Sequence, residues 1–195
     1  MLKRLAAAAI FLLAPATAFA HVGHDLAGQG FGASFMAGFL HPITGADHLL
    51  AMLAVGLWAA LAGRPALWLW PAAFLAAMLA GFLLAPAGVV LPFVEPMILA
   101  SVIGLGILAA LAFRPHPALG AALVALFGLF HGHAHGAEAG EAMLSGFGGG
   151  FLLATAALHL GGVAAGLALG RYGHMPGRIA GGVTALSGLA LATIG

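Results

Sequence analysis

Three ionisable side chains stand close together in the stretch His41-Pro-Ile-Thr-Gly-Ala-Asp-His48, inside a run that is otherwise almost wholly apolar. His41 and His48 offer imidazole nitrogens and Asp47 a carboxylate, a donor set that suits nickel, cobalt, copper or zinc. Ionisable groups are costly in an apolar medium, and where they are kept they mark ion pathways. A cation site is the reading with chemical content. The alternative is that Asp47 caps a helix while the two histidines hydrogen-bond across a bundle.

A second cluster follows at His131-Gly-His133-Ala-His135-Gly136, with Glu138 just beyond it. His131 and His135 are four apart and share a face if a helix continues through them. His133 points elsewhere in a helix and joins them only in a loop. A tract this rich in histidine is metal-binding by composition; a collecting loop is the weaker role open to it. His159 sits alone in the apolar segment Ala154 to Gly166, where metal contact, gating and a hydrogen-bonded packing role all stay open. The chain contains no cysteine, which excludes thiolate ligands, iron–sulfur clusters and disulfides.

The elements that must position these groups are apolar. Of 195 residues, 63% are hydrophobic and 6% charged, against about 25% charged in soluble domains. The chain is therefore expected to lie in a lipid bilayer. Its apolar segments run well past the ~11 residues of a barrel strand and do not alternate, so the expected class is all-α.

Residues 1–20 read as a cleavable signal peptide: Lys3 and Arg4 precede an apolar core, and Ala18-Phe19-Ala20 supplies the cleavage site. An uncleaved first helix is the alternative. Cleavage leaves a histidine-containing extracytoplasmic N-terminus at 21–29 and a single transmembrane domain at 30–195. His21 would then carry a free amine beside its imidazole, so His21 and His24 are candidate entry ligands, or else part of a polar tail. It also leaves four arginines against five acidic residues, a formal charge of −1, so no nucleic-acid partner is implied.

Segments near 46–63, 66–84, 94–113, 117–131, 147–169 and 177–194 approach the ~20 residues needed to cross a bilayer, whereas 30–40 is too short alone. The expected architecture is a polytopic helical bundle of six full spans with a short or broken leading segment, seven helical segments being possible. With the mature N-terminus outside, six crossings put Arg64, Arg114, Arg171 and Arg178 inside, as the positive-inside rule requires. Pro42 and Gly45 break the leading helix, with one helix ending near His41 and the next starting near Ala46. Thr44 and Asp47 have the spacing of a capping box. Broken helices build ion sites in transporters.

The stretch Phe35 to Ala59, FMAGFLHPITGADHLLAMLAVGLWA, together with FHGHAHGAE at 130–138, resembles the HupE/UreJ proteins. The His41/Asp47/His48 spacing is H-x5-D-H, one residue longer than the related element of the larger nickel/cobalt transporter family. The resemblance covers essentially the whole chain. It implies uptake of Ni²⁺, or Co²⁺, across the bacterial cytoplasmic membrane by a secondary permease or facilitator, with a functional link to hydrogenase or urease. The metal enters as transported substrate, and no prosthetic group is implied. The family's motifs fall on His41, Asp47 and His48, and on His131 and His135 with His133 beside them. Two rivals are a membrane metal-binding or sensory subunit without flux and a membrane zinc hydrolase. No H-E-x-x-H or nucleophile motif supports an enzyme, and no Walker A element supports ATP hydrolysis.

Overall fold

The computed structural model describes residues 30–140 and 142–194, so the expected signal peptide, the 21–29 segment, His21 and His24 lie outside the described residues. The described residues form seven helices: α1 (Phe31–Thr44), α2 (Ala46–Ala62), α3 (Ala66–Leu84), α4 (Val94–Ala110), α5 (Pro117–Glu138), α6 (Leu144–Gly170) and α7 (His174–Ile194). No strand occurs among the described residues.

The expectation of six full spans is corrected. Among the described residues four helices, α3, α5, α6 and α7, are long and apolar enough to cross a membrane, and α1 with α2 makes a fifth if that bent pair counts as one span. The expected span at 94–113 is the 17-residue helix α4. Left-handed backbone at Phe93 (φ 62°) and Ala112 (φ 48°) bounds it at the two ends. At a rise of 1.5 Å per residue such a helix is about 25 Å long, short of a ~30 Å hydrocarbon core. The break before α2 also falls later than Pro42. That proline sits within α1, and the chain turns by 79° at Gly45. Thr44 forms no capping box. Its hydroxyl instead donates back to the Leu40 and His41 carbonyls at 3.2 and 3.1 Å.

Small residues set the helix pairings. Successive glycines of α5, Gly128, Gly132 and Gly136, meet the backbone carbonyls of Phe74, Met78 and Phe82 in α3, so the two helices run parallel. A Cβ at Gly132 would collide with the Met78 carbonyl oxygen, so the glycines within HGHAHG hold the helix against its neighbour. Likewise, Gly56 of α2 meets the His159 carbonyl of α6 and Gly162 meets that of Leu53. Between these pairs lies an apolar core that includes Met52, Trp58, Trp70, Phe74, Met78 and Phe151.

The described arginines gather at one end of the bundle. Arg178 Nε donates to the Ala110 carbonyl at 2.7 Å, joining the start of α7 to the end of α4. At the same end, Trp58 Nε1 donates to Phe113 O at 2.8 Å and Trp70 Nε1 to Pro117 O at 2.9 Å. Arg64, Arg114 and Arg171 lie in the short links that close this end. His116 caps α5 there, its Nδ1 accepting from the Ala118 N–H at 3.4 Å.

Candidate metal centre

The histidine-rich end is built by α1, α2, α5 and α6. Helix α5 continues unbroken through the second cluster to Glu138, which decides the geometry of its histidines. With 3.6 residues per turn, His131 and His135 point together toward α1 and α2, while His133 points away. His133 is buried, and its Nε2 donates to the Val89 carbonyl at 2.7 Å. It anchors the α3–α4 loop and does not join the other two.

Three side chains converge at the mouth. His41 Nε2 and His135 Nδ1 each lie 3.1 Å from the same oxygen, Glu138 Oε2. The ligand atoms of His41, His135 and Glu138 all fall within 4.8 Å of one another. His135 is fully buried, whereas the Glu138 side chain is 43% exposed, so the group opens outward through its carboxylate. Two imidazoles and one carboxylate leave coordination positions for water and suit a divalent cation of the first transition series. From the sequence alone, Glu138 stands just beyond the histidine tract and is not among the candidate ligands. Its signal was the i,i+3 spacing from His135, which places both groups on one helical face.

Asp47 and His48 form the next layer. Asp47 Oδ1 accepts from the backbone N–H of His48 at 2.8 Å and from its ring Nδ1 at 2.7 Å. The carboxylate therefore orients the imidazole, as outer-layer carboxylates do for metal-bound histidines. Gly45 makes room for this arrangement: the nearest atoms to a Cβ there would be Asp47 Oδ1 and His48 Nδ1, at 3.2 and 3.3 Å. The His48 ring lies 4.4 Å from that of His135 and 5.0 Å from that of His131, and His41 lies 4.6 Å from His135, all between centroids.

Carbonyls and carboxylates also settle where the ring protons sit. His131 Nδ1 lies 3.1 Å from the Phe127 carbonyl, which can only accept, so Nδ1 carries the hydrogen and Nε2 keeps its lone pair. The same logic holds for His48 on Asp47 and His135 on Glu138. In each of these three the Nε2 atom is buried and has no hydrogen-bond partner. Buried polar atoms are nearly always satisfied, so three orphaned lone pairs in neighbouring rings are unusual for a packing core. They are the state in which imidazole binds a metal.

One further candidate lies elsewhere. His159 is buried deeper in α6, with Nδ1 donating to the Met52 carbonyl at 2.8 Å. Met52 is fully buried, while Met36 lies on the exposed face of α1. Glu95 sits in the first turn of α4.

Comparison with known proteins agrees with the motifs. A family model described as HupE / UreJ protein matches residues 9–191. Protein HupE of Rhizobium leguminosarum bv. viciae is 41% identical over 182 residues, covering 92% of this chain and 92% of that protein. No solved structure matches this chain at a significant level.

Proposed function

We propose that this chain, which belongs to the HupE/UreJ family, is a membrane permease for nickel or cobalt and that His41, His135 and Glu138 form the entry site for the ion it carries. The convergence of those three ligand atoms within 4.8 Å is the observation that carries the reading. The ion arrives hydrated, exchanges part of its water for Glu138 and, as His41 shifts its ring hydrogen to Nδ1 through solvent, for His41 Nε2, and then passes to the Nε2 lone pairs of His135, His48 and His131. Asp47 holds His48 in the tautomer that can receive it.

A permease needs ligands strong enough to offset dehydration and weak enough to release. An incomplete set of two imidazoles and one carboxylate meets that demand better than a closed four-ligand cage. The cell inner membrane is the proposed location. By the positive-inside rule the arginine end faces the cytoplasm, which puts Glu138 and the entry site on the outer side. An inward-negative potential then draws the cation in, contributing about 2.3 kcal/mol per charge at 100 mV. Hydrogenase or urease maturation is the proposed use of the metal.

The test is uptake into proteoliposomes that contain this protein alone, with Ni²⁺, Co²⁺ and Zn²⁺ compared. Flux of Ni²⁺ or Co²⁺ above that of empty vesicles, abolished by Glu138→Gln, is the expected result. Metal binding without any flux would replace the permease reading with that of a non-transporting metal-binding subunit.

A further inference from the structure

One stripe of α6 leads inward from the entry site. Phe147, Phe151, Thr155 and His159 recur every four residues and so share a helical face. Its outer members touch the histidines already described. Phe147 lies 6.0 Å from His41 and Phe151 4.1 Å from His135, between ring centroids. Its inner members carry the polar atoms. Thr155 and His159 are 0% and 1% exposed, and both Thr155 Oγ1 and His159 Nε2 lack any hydrogen-bond partner.

Neither absence is expected of a packing residue. A threonine within a helix ordinarily donates its hydroxyl to the carbonyl four residues earlier, as Thr184 does to Ala180 at 3.1 Å. Thr155 makes no such bond. His159 spends its only N–H on the Met52 carbonyl, which leaves Nε2 as a bare lone pair. The Phe74 ring stands edge-on to His159 at 4.9 Å and packs against His131 at 5.6 Å, so one aromatic side chain adjoins both the outer histidine cluster and this inner pair. Eight residues of helix separate His159 from Phe151, about 12 Å along the axis. That is a substantial fraction of a ~30 Å hydrocarbon core.

We propose that His159 Nε2 and Thr155 Oγ1 form a second, inner binding station for a partly hydrated divalent transition-metal cation. The proposal rests on the permease reading and extends it to the middle of the route. The two stations differ in charge. Glu138 gives the entry site a carboxylate, whereas the inner pair offers one neutral nitrogen and one hydroxyl. Because His159 Nδ1 keeps its hydrogen on Met52, the ion can be ligated by Nε2 without releasing a proton. A neutral nitrogen site favours borderline cations such as Ni²⁺ and Co²⁺ over Mg²⁺ or Ca²⁺, which take oxygen ligands. It also leaves the ion its full charge, so the membrane field continues to pull on it.

Counting bound Co²⁺ in purified full-length protein held in lipid nanodiscs tests this directly, by equilibrium dialysis together with the visible spectrum of the bound ion. His159→Asn keeps an amide donor for the Met52 carbonyl but removes Nε2, and Thr155→Val is nearly isosteric. The wild-type protein should bind two Co²⁺ per chain. His159→Asn should bind one, and Thr155→Val should bind the second at least about tenfold more weakly. Uptake into vesicles should fall at least tenfold in His159→Asn. If the wild-type protein and both variants bind the same number of ions with the same affinities, the pair holds a bound water only and the inner station is wrong. Wild-type vesicles that carry no metal would defeat the permease reading instead, and the Co²⁺ count would still decide this one.

Discussion

The two ends of the bundle use scarce polar residues in opposite ways. At the arginine end, polar side chains close against backbone: Arg178 on Ala110, Trp58 on Phe113, Trp70 on Pro117. At the histidine end, His135 on Glu138, His48 on Asp47 and His131 on the Phe127 carbonyl each spend one ring nitrogen and strand the other in the interior. Both solutions remove charge or dipole from an apolar medium. Only the second leaves donor atoms for an incoming cation. The distinction between a polar residue that holds helices and one that handles an ion lies in what the remaining atoms face.

Four substitutions would break or sharpen that contrast. Glu138→Gln and His135→Ala strike the shared entry ligands, and each should lower Ni²⁺ or Co²⁺ uptake by at least about 100-fold. Initial rates in proteoliposomes read this, and rates within threefold of wild type would erase the functional difference between the ends. Asp47→Asn keeps the shape but lets the amide present either a donor or an acceptor to His48. Uptake should drop about tenfold, with binding at the entry site retained, since the carboxylate orients a ligand and is not itself among the converging three.

A smaller effect is expected at His133, which spends Nε2 on the Val89 carbonyl away from the converging group, although its buried Nδ1 also has no partner. Removing its bond to Val89 by His133→Ala should lower stability by about 1 kcal/mol, and His133→Gln, which retains a donor near the Nε2 position, should recover part of it. Thermal unfolding in detergent measures the loss, and a reduced Co²⁺ count in His133→Ala would show that the residue is a ligand after all. Least of all should follow from Arg178→Gln, where uptake per correctly oriented protein stays within about twofold of wild type. A large fall in transport there would mean that the arginine end also handles the ion.

Several of these features were legible in the residues. HPITGADH announced a break and a donor set, and the spacing of His131 and His135 announced a shared face provided the helix went on. What hid the rest was distance in sequence. Glu138 becomes a ligand candidate only because α1 delivers His41 beside it, a contact across nearly a hundred residues. The capping box at Thr44 failed because the hydroxyl found nearer carbonyls one turn back within α1. The span count failed because apolar composition does not reveal where the backbone reverses. Left-handed residues at Phe93 and Ala112 bound α4 although the sequence around them is as apolar as a span. His133 and His135 differ in role although they sit two apart in one motif, because a helix turns them to different neighbours.

By itself, the sequence determined the class of the molecule and its family: apolar runs that must become helices, glycines that let them approach, and two motifs too polar for their surroundings. Those properties are local, set by composition and by the 3.6-residue period. The tertiary structure decided which nitrogen of His48, His131, His135 and His159 is left without a partner, that Asp47 holds His48 while Glu138 is shared by His41 and His135, and that Thr155 and His159 lie on the helical face that meets His41 and His135. Such choices depend on which carbonyl or carboxylate stands opposite each ring, and only the packing of distant helices supplies it.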